Sequence, residues 1–511
     1  EKAAAPRISV VGIPTCGRPE TLKRCLESFT GNFIRHSRTP DMLIIDDSQD
    51  ESDQQENQII LGELNDRYTG NFYYMNRRQR KDFAWTLAGR AKVDQEIMEF
   101  ALMGHTSCNR TSGGCRNAFL LLTQGRLVLQ TDDDTICNIA QPPTCRDNLE
   151  LTSEATSDAY WFFKSFQEAV DKVSFMNADF LEIHEQFLGK RPEEIITEFQ
   201  DNNRSFNIEK MKSSFLKNME SEHTSIRMTL PGPVGDTCLF SDLYRLFLEG
   251  ESLRRLLYPE DDYPWHLSTR QVMRTVTQST ISDFPRCIGM NFALDNRKLL
   301  PPFMPVQARG DGIFGDLLKV CFPGTFAGNL PWLLAHDPPE KRHRTVDDLF
   351  AMLGQIRVND IVSELIFYSQ HWPYTKNPEE NLRTLGKFMI SLGSLSKGEF
   401  EQKIREIYVS RTARRIQMAE HHLSQQANGT PRLADHLQLF IQVLRDSLIT
   451  ANFLRPDDID NPSSGGEEEF KDIVYQFGRL LFHWPDIYKA MEDFDQEELL
   501  PYATLFGKEN A

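Results

Sequence analysis

The sequence predicts an α/β chain with a Rossmann-like, mostly parallel sheet in its first part, a helical insertion within that part, and an all-α carboxyl-terminal domain. Three observations lead there. Short apolar runs rich in β-branched residues alternate with segments of helical spacing from Ile8 to Thr131. The alternation lapses between about residues 136 and 225. After about Arg342 cysteine disappears and amphipathic helical spacing takes over. Alternating strands and helices imply right-handed βαβ units with parallel pairing. Residues 1–340 therefore read as one α/β domain with its insertion at about 136–225, and residues 341–511 as a helical domain.

Ile8 to Pro14 is the first β-rich run, and Leu22, Cys25, Leu26 and Phe29 then recur at helical spacing. Met42 to Ile45 predicts a second strand, ended by Asp46 and Asp47. Ile59 to Leu64 falls on a helix, Phe72 to Met75 on a third strand, and Asp94 to Met103 on another helix. Gly113, Gly114, Cys115, Arg116 and Asn117 open a helix that runs through Leu122 and is ended by Gly125, and Leu127 to Thr131 is the next strand. In the insertion, Asp158 to Val173 and Asp179 to Leu188 read as helices. Strands return at Ile226 to Leu230 and Cys287 to Ala293, before the run Arg309 to Phe314. The carboxyl-terminal part carries an internal echo. Asp360, Ile361 and Val362 precede His371, Trp372 and Pro373 at the spacing with which Asp472, Ile473 and Val474 precede His483, Trp484 and Pro485. Each copy reads as a helix stopped by proline, and the pair fits a duplicated hairpin or a chance likeness of two short helices equally well. Phe367, Tyr368, Trp372, Phe477, Phe482 and Trp484 read as core, and Asp457 to Glu469 as a solvated loop.

A chain of 511 residues, 40% of them hydrophobic, can bury a large core. Its formal charge of -17 argues against a nucleic-acid surface, which needs stripes of Lys and Arg. Nine cysteines without paired metal spacing read as free thiols in a reducing cytosol. There is no apolar run of the roughly 18 residues that span a bilayer. Glu1 to Arg7 shows no signal-peptide core, so the expected location is cytoplasmic.

Asp132, Asp133 and Asp134 close the run Leu127 to Thr131. Like charges repel and must stay hydrated or find a cation, so three carboxylates at a strand end are poor folding material. At the carboxyl end of a parallel strand they face the crevice where divalent cations and their phosphates are held. Thr15 to Arg18 and Asp46/Asp47 fall at the same edge. Alone, the triplet also approximates the D-x-D-x-T/V motif of haloacid-dehalogenase-like phosphatases, whose first aspartate is phosphorylated. Here Ile136 follows Asp132, Asp133, Asp134 and Thr135, and three predicted strands come first.

Four blocks in order carry a resemblance: Val10 to Thr15 with Arg18; Leu43 to Ser48; Gly113 to Asn117; and Thr131 to Asp134. Together they resemble the family 2-type glycosyltransferases of the GT-A fold, closely over residues 7–135 and more loosely over 226–340. The resemblance implies a nucleotide-sugar-binding domain, a UDP-sugar donor, Mn2+ or Mg2+, and a glycan or other hydroxyl acceptor. By it, Asp134 touches the metal, Asp132 the metal or ribose, and Asp133 lies between them at the donor. Thr15 and Arg18 line the base pocket, Asp46 and Asp47 meet base or ribose, Gly114 with Gly113 permits close approach of the donor, and Arg116 reaches the diphosphate. An inverting reaction needs a base for the acceptor hydroxyl, and Asp311 after Gly310 matches that position without the family's preceding glutamate. His336 matches a metal-binding histidine. Each of these residues also has a plain structural reading: an N-cap for Asp46, Asp47 and Asp311, a surface arginine for Arg116, a core imidazole for His336. Glu260, Asp261 and Asp262, between Pro259 and Pro264, are the rival base candidates. The helical part is a candidate oligomerisation module, and a non-catalytic scaffold is the reading that dispenses with chemistry altogether.

Overall fold

The computed structural model describes residues 6–154, 158–237, 243–340, 342–425, 430–450, 455–460, 465–494 and 502–506. Strands β1 (Ile8–Thr15), β2 (Asp41–Asp46), β3 (Phe72–Met75) and β4 (Leu127–Thr131) lie side by side in the order β3-β2-β1-β4, all parallel. Their side chains are buried on both faces, as expected where helices cover a parallel sheet. The crossing helices begin where the local chemistry allows. Pro19 sits at the start of Pro19–Arg35, the Asp50 side chain accepts from the Ser52 amide ahead of Glu51–Asn65, and Asn76 and Gln79 form a reciprocal cap ahead of Arg77–Ala91. Thr15 pairs with Asp46 and Gly12 with Gln130, so the carboxyl ends of β1, β2 and β4 come out at one edge.

The segment read as a helical insertion is corrected by the structure. It contributes β5 (Thr135–Ala140), β6 (Leu149–Thr152), β7 (Ala159–Phe162), β8 (Phe175–Met176) and β9 (Phe206–Lys210), and its helices are short. Asp158 to Val173 is β7 followed by the single helix Phe166–Asp171, because Tyr160 and its neighbours pair with a distant strand and that pairing overrides the local helical spacing. The remaining strands are β10 (Ser225–Asp236), β11 (Gln271–Thr275), β12 (Ser279–Ser282), β13 (Asn291–Asp295), β14 (Thr325–His336) and β15 (Thr504–Phe506). The sheet continues past β4 as β13-β10-β14-β12-β6-β9, with β11 and β7 leaving it at β10, and β5 and β8 at β14. Pairing beyond β4 is mixed: β13 is antiparallel to both β4 and β10, whereas β10 and β14 run parallel.

Among the described residues, six helices between Val346 and Ala490 form the carboxyl-terminal region. It is not wholly helical, since β15 pairs antiparallel with β3 at the edge of the sheet. Nor is its core separate: Ile361, Leu382, Phe477 and Trp484 belong to the same buried cluster as Val10, Leu43, Phe83 and Phe119. The two echo copies diverge. Val358–Ser369 ends ahead of Pro373, but Glu467–Ala490 runs through Pro485. There Trp484 donates to the Leu300 carbonyl at 2.7 Å, and Arg383 donates to the Phe482 carbonyl and to Asp486, holding the helix on course past the missing amide. Phe477 and Trp484 are core as expected, whereas Tyr368 is exposed and Phe367 lines a cleft. Of the loop expected at Asp457 to Glu469, Pro462 to Ser464 lie outside the described residues, and the helix has begun by Glu467. Among the described residues no helix is long and apolar enough to cross a membrane, and the eight described cysteines are free thiols.

Candidate functional site

Asp132, Asp133 and Asp134 form the tight turn between β4 and β5, closed by the Thr135 amide donating to the Asp132 carbonyl. The turn divides its side chains. Asp133 accepts from the Thr15 hydroxyl at 2.8 Å, and Arg18 lies 3.5 Å from Asp133 and 3.4 Å from Asp134. His336, the last residue of β14, meets Asp134 through Nε2 at 2.9 Å. Asp132 turns to the other side and accepts from Arg116 at 2.8 Å. Thr15, Arg18, Asp132, Asp133, Asp134, Arg116 and His336 are thus brought together from four separate segments.

The charges are incompletely balanced. Burial pushes Asp132 up to about 7, with Arg116 opposing and Asp134 adding to the rise. Burial and the Asp134 charge push Asp133 up to about 6. Burial acts the same way on Asp134, but His336 and Arg18 outweigh it and hold Asp134 low, at about 2. Carboxylate oxygens suit Mn2+ or Mg2+, and an imidazole nitrogen among them favours Mn2+ of the two. Asp134 and His336 stand side by side as such a pair, while Asp132 is engaged by Arg116. Among the described residues no group of three or more His, Cys, Asp or Glu is arranged to hold an ion.

On the Asp132 side opens a cleft of about 440 Å³ lined by Asp132, Arg116, Gly289, Asp311 and Asp316. Asp311 is the second residue of the helix Gly310–Cys321, and its carboxylate accepts from the Gly289 amide at 2.6 Å. The Gly289 carbonyl in turn accepts from Arg116 at 3.1 Å. One backbone unit thereby joins the two halves: Asp132 to Arg116, Arg116 to Gly289, Gly289 to Asp311. A Cβ at residue 289 would lie 2.7 Å from Arg116, so a larger residue would push this guanidinium aside. Arg116 Nη1 is buried without a hydrogen-bond partner. Glu260, Asp261 and Asp262, the rival bases, form an exposed turn away from the cleft, with Asp262 paired to Lys164.

Asp46 and Asp47 do not share this setting. Asp46 is fully buried and accepts from Ser48, Asn57 and Tyr74, which occupy both its oxygens. Asp47 accepts from Arg77, Arg80 and Thr111. Burial works to raise it, but Arg80, Thr111 and Arg77 hold it below the usual carboxylate range. The close approach expected at the glycines is likewise to protein. A Cβ at Gly113 would strike the Met304 carbonyl and one at Gly114 the Leu102 carbonyl, so these residues seat the helix Ser112–Leu122 against its neighbours and leave no space for a donor at Gly114.

Gly289, Arg286, Arg309 and Asp316 line the cleft without having been expected from sequence. Asp316 carried a legible signal, a charge within the apolar series Ile313, Phe314, Leu317, Leu318. It is half-buried, accepts from Ser363 at 2.6 Å, and is pushed up to about 7 by desolvation. Neither a protein-family model nor a curated protein matches the chain.

Proposed function

We propose that the chain is a metal-dependent glycosyltransferase of the GT-A type, transferring a sugar from a nucleotide-diphosphate sugar, with a UDP-sugar the expected donor, to an acceptor hydroxyl with inversion. The observation that carries this reading is the Asp132, Arg116, Gly289, Asp311 chain of contacts, which sets a carboxylate turn at a strand end and an independent carboxylate at a helix start on the walls of one cleft.

Asp134 and His336 would hold the divalent cation, with Asp132 as the further carboxylate; when bound, the ion neutralises charge on the departing diphosphate. Arg116 adds a fixed positive charge, and its unpartnered Nη1 can donate to a phosphate oxygen. Asp311 takes the proton of the acceptor hydroxyl as its oxygen bonds to the anomeric carbon and the bond from that carbon to the phosphate oxygen breaks, the electron pair leaving on the diphosphate. The Gly289 amide fixes the orientation of Asp311. Thr15 and Arg18 hold Asp133 and Asp134 in place from the β1 side.

The test is a panel of nucleotide sugars with Mn2+ or Mg2+, scored for nucleotide release. The expected result is release from one UDP-sugar, abolished by EDTA, with an inverted product. Hydrolysis of simple phosphomonoesters without nucleotide-sugar turnover would assign phosphatase chemistry instead. A retaining product, or near-normal turnover in Asp311→Asn, would remove Asp311 from the role of base.

A further inference from the structure

A second cavity, of about 310 Å³, lies where the helices Val358–Ser369, Lys397–Gln425 and Pro431–Thr450 meet the α/β part. Among the described residues the charged side chains on its wall are Arg286, Arg309, Arg357, Arg411 and Arg415 against Asp360. In a chain of net charge -17, this is a local reversal of sign. Asp360 is shared by Arg309 and Arg411, and Arg411 also reaches Glu364 at 3.4 Å. Glu364 is shared in turn with Arg414, so Asp360 and Glu364 between them serve the three guanidinium groups of Arg309, Arg411 and Arg414. Arg415 lies over the Phe440 ring at 5.4 Å and has no hydrogen bond or ion pair among the described residues. Burial, and then the Arg411 charge, pull it down to about 10, and the nearby Asp360 offsets them only in part. Arg286 lies over the Tyr244 ring at 5.7 Å and has no hydrogen bond or ion pair among the described residues.

This cavity adjoins the cleft described above: Arg286 and Arg309 line both. Arg309 also holds a left-handed backbone (φ 70), which a residue with a Cβ adopts at a cost of about 1 kcal/mol. The turn that places Asp311 in the cleft therefore also places Arg309 between the two spaces. Such strain persists at functional sites when the surroundings hold it, here through the pair with Asp360.

We infer that the arginine cavity binds a phosphate group carried by the acceptor, so that the transferred sugar is received by a phosphorylated hydroxyl compound whose hydroxyl lies in the cleft by Asp311. The word acceptor rests on the transferase reading; the anion site rests on the arginines themselves. Phosphate is favoured over carboxylate because its several oxygens can be bridged by guanidinium forks approaching from more than one direction, and arginines from four segments of the chain surround this space.

The first experiment is calorimetric titration of the full chain with inorganic phosphate at low ionic strength. Phosphate is expected to bind the wild type and Asp134→Ala alike, to bind Arg415→Gln at least about tenfold more weakly, and to bind Arg415→Lys between these. No binding to the wild type, or binding lost in Asp134→Ala but kept in Arg415→Gln, overturns the site. If Arg415→Gln does not fold, phosphate protection of Arg415 and Arg411 from an arginine-selective dicarbonyl, mapped by mass spectrometry, decides the same question: protection supports the site and its absence overturns it. The second experiment uses the accepted nucleotide sugar with matched acceptors that have or lack a phosphate. The phosphorylated member is expected to show a KM at least about tenfold lower, and Arg415→Gln to erase that preference while keeping kcat. Turnover without preference overturns the acceptor assignment alone. Phosphate bound at the arginines with no donor turned over overturns it together with the transferase reading.

Discussion

Two acidic groups end strands on either side of β1 and meet opposite treatment. At the end of β2, Asp46 and Asp47 are saturated by Ser48, Asn57, Tyr74, Thr111, Arg77 and Arg80. At the end of β4, three carboxylates share Arg116, Arg18, His336 and Thr15, and two of them are raised toward neutrality. Position at a strand end is therefore not what makes a carboxylate available. Completeness of its partners is. The β2 pair spends its charge on holding β2, β3 and the neighbouring helices together, whereas the β4 turn retains charge that an added cation would compensate.

The largest effect expected from this contrast is on stability. Asp47→Ala strands the fully buried Arg80 without its carboxylate partner and is expected to lose about 3–5 kcal/mol in denaturant unfolding. A loss below about 1 kcal/mol would show that the β2 pair is not structural. Asp134→Ala is expected to do the reverse. It should lower metal-stimulated nucleotide release at least about a hundredfold, while relief of its repulsion of Asp132 and Asp133 offsets part of the lost pairing to His336 and Arg18 and keeps the loss of stability below that of Asp47→Ala. Millimolar Mn2+ is expected to raise the Tm of the wild type through preferential binding to the folded state, and Asp134→Ala to abolish that rise. Equal loss of stability in the two variants would erase the distinction between the strand ends.

Asp316 sharpens the comparison with a carboxyl that has neither saturation nor a cluster. It keeps its proton up to about pH 7 in the folded chain, against 3.8 for the ordinary group, because burial outweighs Ser363 and Arg309. The folded state binds more protons than the unfolded one between these values, so its contribution is full below about pH 3.8 and is lost as the pH rises through about 7. Asp316→Asn removes that titration. Its stability relative to wild type is expected to increase from pH 5 to pH 8 by about 1–3 kcal/mol, read from urea unfolding at several pH values. A difference that does not change with pH would take the proton away from Asp316.

The parallel block β1 to β4 was legible because its strands are short buried runs and its helices repeat Leu and Phe at turn spacing. The strands from β5 to β9 were not, since four-residue runs such as Leu149–Thr152 acquire their identity from partners far along the chain. The site divides in the same way. Thr15, Arg18, Arg116, Asp132, Asp133, Asp134, Asp311 and His336 carry chemistry in their residue types, and they converge. The saturation of Asp46 could not be read, because Asn57 and Tyr74 are ordinary helix and strand residues until folded. Gly289 was invisible for a related reason: its contribution is an amide and a carbonyl, which every residue but proline possesses.

The indole of Trp484 sits with no exposed surface between the carboxyl-terminal helices and the α/β part, its N–H on the Leu300 carbonyl. Trp85 and Trp265, by contrast, are partly open to solvent. An intrinsic chromophore thus stands at the seam between the helices and the sheet. Unseating the helices from the sheet would expose this indole and move its share of the emission of the six tryptophans to longer wavelength.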